Sequence, residues 1–256
     1  MTTHAVIPDT QQKPGVDFSH MTWAGEYLAE KRPDVIVHIG DHADMPSLSE
    51  WDKGKKSFEG RTYKADIEAA IESMELFLAP IKREMKRRVD GKRKQWNPRM
   101  VITLGNHEDR INRAIESDRK LDGLISVDDL KYKEMGWEVV PYLQTIVIDG
   151  VAYCHYQTSG EKGLAIGTAD MLVKKKHMSC VVGHNQKTMI SLTERRADGI
   201  PLIGLFAGIY YQHDEKYLGV QGNVQHRQIW LNHEVKDGFF YPMPVSLDFL
   251  KRKYGA

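Results

Sequence analysis

Val35-Ile36-Val37-His38-Ile39-Gly40-Asp41-His42-Ala43-Asp44 is the stretch on which the reading of this chain turns. Its apolar run is the pattern of a strand covered on both faces, as in a parallel sheet. The run delivers Asp41 just after a glycine, which lets the backbone turn sharply so that the carboxylate points beyond the strand end. On the N-terminal side, Ala5-Val6-Ile7-Pro8 is a second apolar run and ends at Asp9. Between them Phe18 to Glu30 has helical spacing (Met21, Ala24, Tyr27, Leu28), with Pro33 closing it. On the C-terminal side, Tyr63 to Arg88 carries a long helical pattern, expected to break near Pro80. Met100-Val101-Ile102-Thr103-Leu104 then delivers Gly105-Asn106-His107-Glu108. Strand, helix, strand, helix, strand implies βαβ units and a largely parallel sheet, hence an α/β fold.

The second half reads as richer in strands. Ile146-Val147-Ile148, an Asp149-Gly150 turn and Val151-Ala152-Tyr153-Cys154 have the shape of a tight hairpin ending at His155. Gly163 to Lys176 is expected to be helical. Ser179-Cys180-Val181-Val182 is a strand leading to Gly183-His184-Asn185-Gln186. Short strands are expected around Ile190–Leu192, Ile203–Phe206, Gln228–Leu231 and Gly238–Phe240. No repeat, low-complexity tract or linker interrupts residues 1–256, so a single domain is expected.

Bulk properties narrow the class. The chain has 256 residues, 41% hydrophobic and 28% charged, enough to bury a full core. A formal net charge of +1 argues neither for nor against a polyanionic partner. Cys154 and Cys180 both lie in apolar runs, which points to buried structural thiols in a reducing compartment. The start, Met1-Thr2-Thr3-His4, lacks a basic segment followed by a long apolar core, and no apolar run reaches the ~20 residues of a membrane span. A cytoplasmic protein with no membrane partner is expected.

Five polar blocks therefore follow strand-like runs in one order: Asp9-Thr10-Gln11, Gly40 to Asp44, Gly105 to Glu108, His155, and Gly183 to Gln186. In open α/β sheets ligands sit beyond the carboxyl ends of the strands, where all five would meet. Each block alone is an ordinary turn or a structural histidine. Together they supply what a pair of divalent cations about 3.5–4 Å apart requires: a bridging carboxylate, for which Asp41 is suited, with amide oxygen and imidazole nitrogen around it. Asn106, His155 and His184 would serve one cation, and Asp9, Asp41, Gln11 and Gln186 the other. His107, beside Asn106, is the candidate general acid, and Asp44 the carboxylate that orients it.

These motifs resemble those of the calcineurin-like metallophosphoesterase superfamily, whose pattern is Asp-x-His, Gly-Asp-x-x-Asp, Gly-Asn-His-Asp/Glu, a lone His, then Gly-His-x-His. The resemblance runs from Asp9 to Gln186. It implies a four-layer α/β/β/α sandwich, a dinuclear centre with Asp9, Asp41, Asn106, His155 and His184 as ligands, and hydrolysis by a metal-activated hydroxide attacking phosphorus in line. His107 takes the catalytic histidine's place and Asp44 that of its orienting carboxylate. Gln11 and Gln186 stand where the family has histidines, both serving the same metal. One site keeps its donors while the other becomes oxygen-rich and weaker. Mn²⁺ is favoured, with Mg²⁺, Fe, Zn²⁺ or Ni²⁺ as alternatives.

The substrate is read from weaker signals. Lys82 to Arg88, followed by Lys92-Arg93-Lys94, is the most basic stretch; it is either a solvated helix end or a phosphate-backbone contact. Trp51 and Trp96 flank it, and core packing is expected for both over base stacking. Arg110, Arg113, His42, His213 and Asp214 are further candidates for lining the pocket. The expectation is a phosphodiesterase, with DNA or another nucleic acid as substrate, similar to compact, phage-encoded members or the repair-nuclease branch. A phosphomonoesterase or Ser/Thr-phosphatase-like enzyme is the alternative, weakened because Met45 stands where those phosphatases carry an arginine. A non-catalytic, metal-retaining binding protein is the third reading.

Overall fold

In the computed structural model, which describes residues 1–160, 163–194, 199–215 and 219–255, strands β1 (Thr2–Ile7), β2 (Val35–His38), β3 (Arg99–Thr103) and β4 (Glu138–Val140) run parallel. Helices α1 (Ser19–Lys31) and α2 (Tyr63–Asp90) make the first two crossovers, and α3 (Arg110–Ser117) lies in the third. After β4 come the hairpin strands β5 (Ile146–Ile148) and β6 (Val151–Tyr153), a short pair β7 (Thr158–Ser159) and β8 (Leu164–Ala165), and α4 (Ala169–Lys176). The chain continues through β9 (Cys180–Val182), β10 (Thr188–Glu194), β11 (Pro201–Ala207), a single turn α5 (Gly219–Gly222), β12 (Gln228–Lys236), β13 (Phe239–Ser246) and α6 (Leu247–Tyr254). The first sheet has the order β13-β12-β1-β2-β3-β4, and the second β10-β11-β9-β6-β5.

The period-2 alternation of the strands sorts their side chains into separate cores. From the first sheet, Ala5, Ile7, Ile36 and Ile102 pack with Leu28 of α1, Phe77 of α2 and Leu250 of α6. Their neighbours Val6, Val37 and Val101 turn to the opposite face and meet Tyr153, Val181 and Leu205 of the second sheet. In that sheet Ala152, Cys180, Val182 and Phe206 point outward onto Leu172 of α4. Truncating a buried anchor such as Phe77, fully enclosed, to alanine would cost about 3–5 kcal/mol.

Local chemistry sets the helix ends. Thr62 caps α2, its hydroxyl accepting from the Ala65 N–H at 3.3 Å, and Thr168 caps α4 through Met171. The Asp149-Gly150 turn has both residues at positive φ, as a two-residue hairpin requires. Cys154 and Cys180 are buried free thiols, as expected. No helix among the described residues is long and apolar enough to cross a membrane.

Several expectations need correction. The helix over 63–90 is continuous through Pro80, which sits so close to α1 that a Cβ on Gly25 would lie 2.9 Å from the proline ring and 2.2 Å from the Phe77 carbonyl. Tertiary packing of the two helices overrides the proline penalty there. Residues Leu164–Ala165 pair with β7, so the helix expected from Gly163 starts only at Ala169, after its Thr168 cap. The later strands are longer than their apolar cores, because antiparallel pairing carries them outward. The helix α6 was not anticipated.

Candidate metal centre

The loops after β1, β2 and β3 are held against one another by backbone contacts that leave no room for side chains. Gly40 has φ +95°, and a Cβ on it would fall 2.6 Å from the Thr103 carbonyl and 2.8 Å from His155 Nδ1. Glu108, fully buried, accepts N–H groups from Gly105 at 2.8 Å, Ala43 at 2.9 Å and Asp41 at 3.0 Å, tying the two loops together. Gln11, Asp41, Met45, His184 and Gln186 have φ of 43°, 48°, 50°, 63° and 53°. Such left-handed residues cost about 1–3 kcal/mol each and gather at functional sites, where surrounding structure enforces them.

Donor atoms of Asp41, His155 and His184 all lie within 4.8 Å of one another. The Asn106 Oδ1 atom stands 3.1 Å from His155 Nε2 and 2.7 Å from His184 Nδ1, and the Asp41 Oδ2 atom 3.3 Å from His155 Nε2. His155 Nδ1 donates to the Ile39 carbonyl at 2.9 Å, which fixes the ring with Nε2 facing the cluster. His184 packs on Tyr156 with ring centroids 4.5 Å apart. Carboxylate, amide oxygen and two imidazoles form a donor set suited to one divalent cation. The local field is uneven: burial opposes a charge on His155, but Asp41 outweighs it and lifts its pKa to about 10. Burial, together with the charge on His155, lowers His184 to about 4. Burial also opposes ionisation of Asp41, yet His107 and His155 hold its carboxyl well below the usual range.

Asp9 and Gln11 adjoin this cluster. One Asp9 oxygen accepts from the His184 N–H at 3.2 Å, while Oδ2 is buried without a hydrogen-bond partner. Both polar atoms of the Gln11 side chain are likewise buried and unpartnered, although its N–H donates to the Asp41 carbonyl at 2.8 Å. Buried polar atoms of this kind cost about 1–3 kcal/mol each unless a ligand meets them. Burial, with Asp41 adding to it, raises the Asp9 carboxyl to about 7 against the pull of His155. These orphaned oxygens fit a second, oxygen-rich cation position. Gln186 is half-buried on the loop after β9.

His107 stands at the edge of the cluster. Its N–H donates to Asp41 Oδ1 at 2.9 Å, Nδ1 lies 2.7 Å from Asp44 Oδ1, and Nε2 lies 3.7 Å from Asp41 Oδ2. Burial disfavours its imidazolium, but Asp41 and Asp44 together raise its pKa. Arg110 donates through Nη1 to the Asp44 carbonyl at 2.6 Å, and its Nη2 lies 3.3 Å from His107 Nε2. Arg113 donates to the Asn106 carbonyl at 2.7 Å.

Other expected residues are placed differently. His42 does not line the pocket: it is fully buried, with Nδ1 against the Tyr132 hydroxyl at 2.9 Å and Nε2 against Ser73 at 3.1 Å. His213 pairs with Glu215 at 2.7 Å and stacks on Tyr211, and Asp214 pairs with Arg227. The basic run lies at the far end of α2. That helix descends from the site toward the N-terminal end of the sheet, where Trp96 donates to the Pro33 carbonyl at 2.7 Å. Trp96 is buried as expected, whereas Trp51 is 87% exposed on the loop after Asp44, contrary to the expectation of core packing. It sits on the single 3-10 turn Glu50–Asp52, none of whose residues is buried. Lys13 and Glu215 carried no motif signal, yet Lys13 Nζ lies 3.1 Å from Asp44 Oδ2 and pairs with Glu215.

No protein-family profile matches the chain. The gene 54 protein of Mycobacterium phage L5 is 37% identical over 105 residues, covering 41% of this chain and 35% of that protein. Its counterpart in Mycobacterium phage D29 is 38% identical over 77 residues, 30% of this chain and 29% of that one. The matched stretch thus spans about a third of the length of these relatives. Among solved structures, YfcE, a phosphoesterase from E. coli, aligns over 96% of this chain and 99% of its own, with 10% identity and a TM-score of 0.37. A conserved predicted phosphoesterase from Streptococcus pneumoniae TIGR4 aligns over 95% and 98%, with 10% identity and a TM-score of 0.33. Scores of that size do not establish a common fold, so the geometry of the loops carries the functional argument.

Proposed function

We propose that this chain is a metal-dependent phosphoesterase with a preference for diesters. The observation that carries the reading is the convergence of Asp41, Asn106, His155 and His184 on one point, with the His107–Asp44 pair beside it. Asp41, Asn106, His155 and His184 would hold one cation, and Asp9, Asp41, Gln11 and Gln186 a weaker one, Mn²⁺ being favoured for both. When bound, such cations withdraw charge from a phosphoryl group and lower the pKa of a nearby water. The protein's own contribution is orientation and a proton. Asp44 engages His107 Nδ1, so Nε2, once protonated and released from Arg110 Nη2 at 3.3 Å, is the nitrogen that would protonate the departing oxygen. The division of the buried side chains into helix-facing and sheet-facing clusters supports the four-layer α/β/β/α arrangement as part of this reading.

A diester is favoured because a monoester dianion carries one more charge, and the arginines following His107 are engaged by backbone carbonyls. Nucleic acid is the proposed diester. The exposed Trp51, on a loop that also carries Lys53, Lys55 and Lys56, supports it better than the distant basic run does. Hydrolysis of a paired phosphodiester and phosphomonoester by metal-stripped protein resupplied with Mn²⁺, Mg²⁺ or Zn²⁺ tests the proposal. Diester turnover with Mn²⁺ is expected. Monoester preference would move the assignment to a phosphatase, and silence with every metal would favour a metal-retaining binding protein.

A further inference from the structure

We infer that Lys13 and Glu215 are positioning residues for the proton-delivering pair His107–Asp44, a role resting on the reading of His107 as general acid. Asp44 is a buried carboxylate whose two oxygens have different duties. Its Oδ1 faces His107 Nδ1 at 2.7 Å and Arg110 Nη1 at 3.4 Å, while Oδ2 faces Lys13 Nζ at 3.1 Å. A carboxylate held on one side only can rotate and present either oxygen to the imidazole. Lys13 on the second oxygen removes that freedom, so the plane of the carboxylate, and with it the ring of His107, has one orientation.

Lys13 is itself held. Its Nζ pairs with Glu215 Oε1, which also accepts from His213 Nε2 at 2.7 Å. Glu215 is fastened by a reciprocal pair of bonds with Asn223, 2.8 Å from its N–H and 2.9 Å to its carbonyl. His213 stacks on Tyr211 at 4.6 Å between centroids, and Arg227 lies 5.5 Å over that same ring. The loop carrying Lys13 is joined to that of Asp44 by the Asp44 N–H, which donates to the Gln12 carbonyl at 2.8 Å. Two loops from opposite ends of the sequence therefore meet at Lys13, which in turn reaches the Asp44 carboxylate. Buried ion pairs often add little to stability, because desolvation offsets attraction; setting one geometry is the use that remains.

General-acid catalysis matters most when the leaving oxygen is basic. The test is kcat/KM for a series of aryl methyl phosphodiesters, from p-nitrophenyl to unsubstituted phenyl, using Mn²⁺-loaded protein with its metal content measured. His107→Ala should lose far more on the phenyl ester than on the nitrophenyl ester. Lys13→Met and Glu215→Gln should show the same bias, losing about tenfold or more on the phenyl ester and little on the other. Lys13→Arg should restore most of the loss. Equal losses on both esters, or none, in folded and metal-loaded variants would overturn the inference. Glu215→Gln, which keeps shape and one hydrogen bond, decides the matter if Lys13→Met does not fold. If His107→Ala itself shows no bias, the general-acid reading fails and the inference with it.

Discussion

Gly105 and Asp41 occupy one space: a Cβ on residue 105 would stand 2.1 Å from Asp41 Oδ1 and 2.4 Å from the Asp41 backbone nitrogen. The carboxylate proposed to hold the cation is thus seated in the volume a side chain would fill. Gly105→Ala is expected to displace Asp41, abolish tight metal binding and cost about 1–3 kcal/mol from overpacking. Metal content after dialysis and a thermal melt would check both. A variant that retains metal like the parent would contradict the seating.

His107→Ala should separate catalysis from metal binding. The ring is not among the clustered donors of Asp41, His155 and His184, and its neighbour Asn106 keeps its Oδ1 in place. Turnover of an unactivated diester is expected to fall by about 10²- to 10⁴-fold with metal content unchanged. Loss of metal together with activity would show that His107 builds the site.

Gln11→His tests the proposal that a second cation position exists beside Gln11 and is weak. The Gln11 side chain is buried with neither polar atom partnered, so an imidazole there replaces a poor donor without disturbing an existing bond. Metal retained after dialysis should rise toward two ions for each chain. Two equally retained zinc ions in the unaltered protein would sink the idea that this position is labile.

His20 is buried with Gln12 Nε2 at 3.0 Å, and burial, with the charge on His213, lowers its pKa from 6.5 to about 3. The unfolded chain takes up a proton near pH 6.5, whereas the folded chain resists until about pH 3. The stability from this group is therefore complete above pH 6.5 and drains away as the pH falls, by up to about 1.4 kcal/mol per pH unit. Denaturant midpoints of metal-free protein at pH 7 and 4.5 should show a smaller acid loss in His20→Gln than in the parent. An unchanged acid slope would place the loss elsewhere.

The parallel strands and the donor blocks were readable because they depend on local pattern. Val35 to Ile39 is apolar without interruption, and Asp41, Asn106 and His184 each follow a glycine at or near a strand end. What escaped the sequence depends on distance in the chain. Lys13 meets Glu215 across some two hundred positions, and no spacing rule joins them. Pro80 was misjudged because the helix that accommodates it packs on Gly25, not on its own neighbours. Trp51 and the basic run can be read only by composition, which says nothing about which end of α2 faces the loops that gather Asp41, Asn106 and His184.

Strand β13 closes one side of the first sheet, and it carries Pro242 and Pro244 opposite Asn232 and Trp230. A proline has no N–H to give to β12, so these are the pairs whose N–H positions face the open side. That border consequently offers an incoming strand too few donors for a ladder.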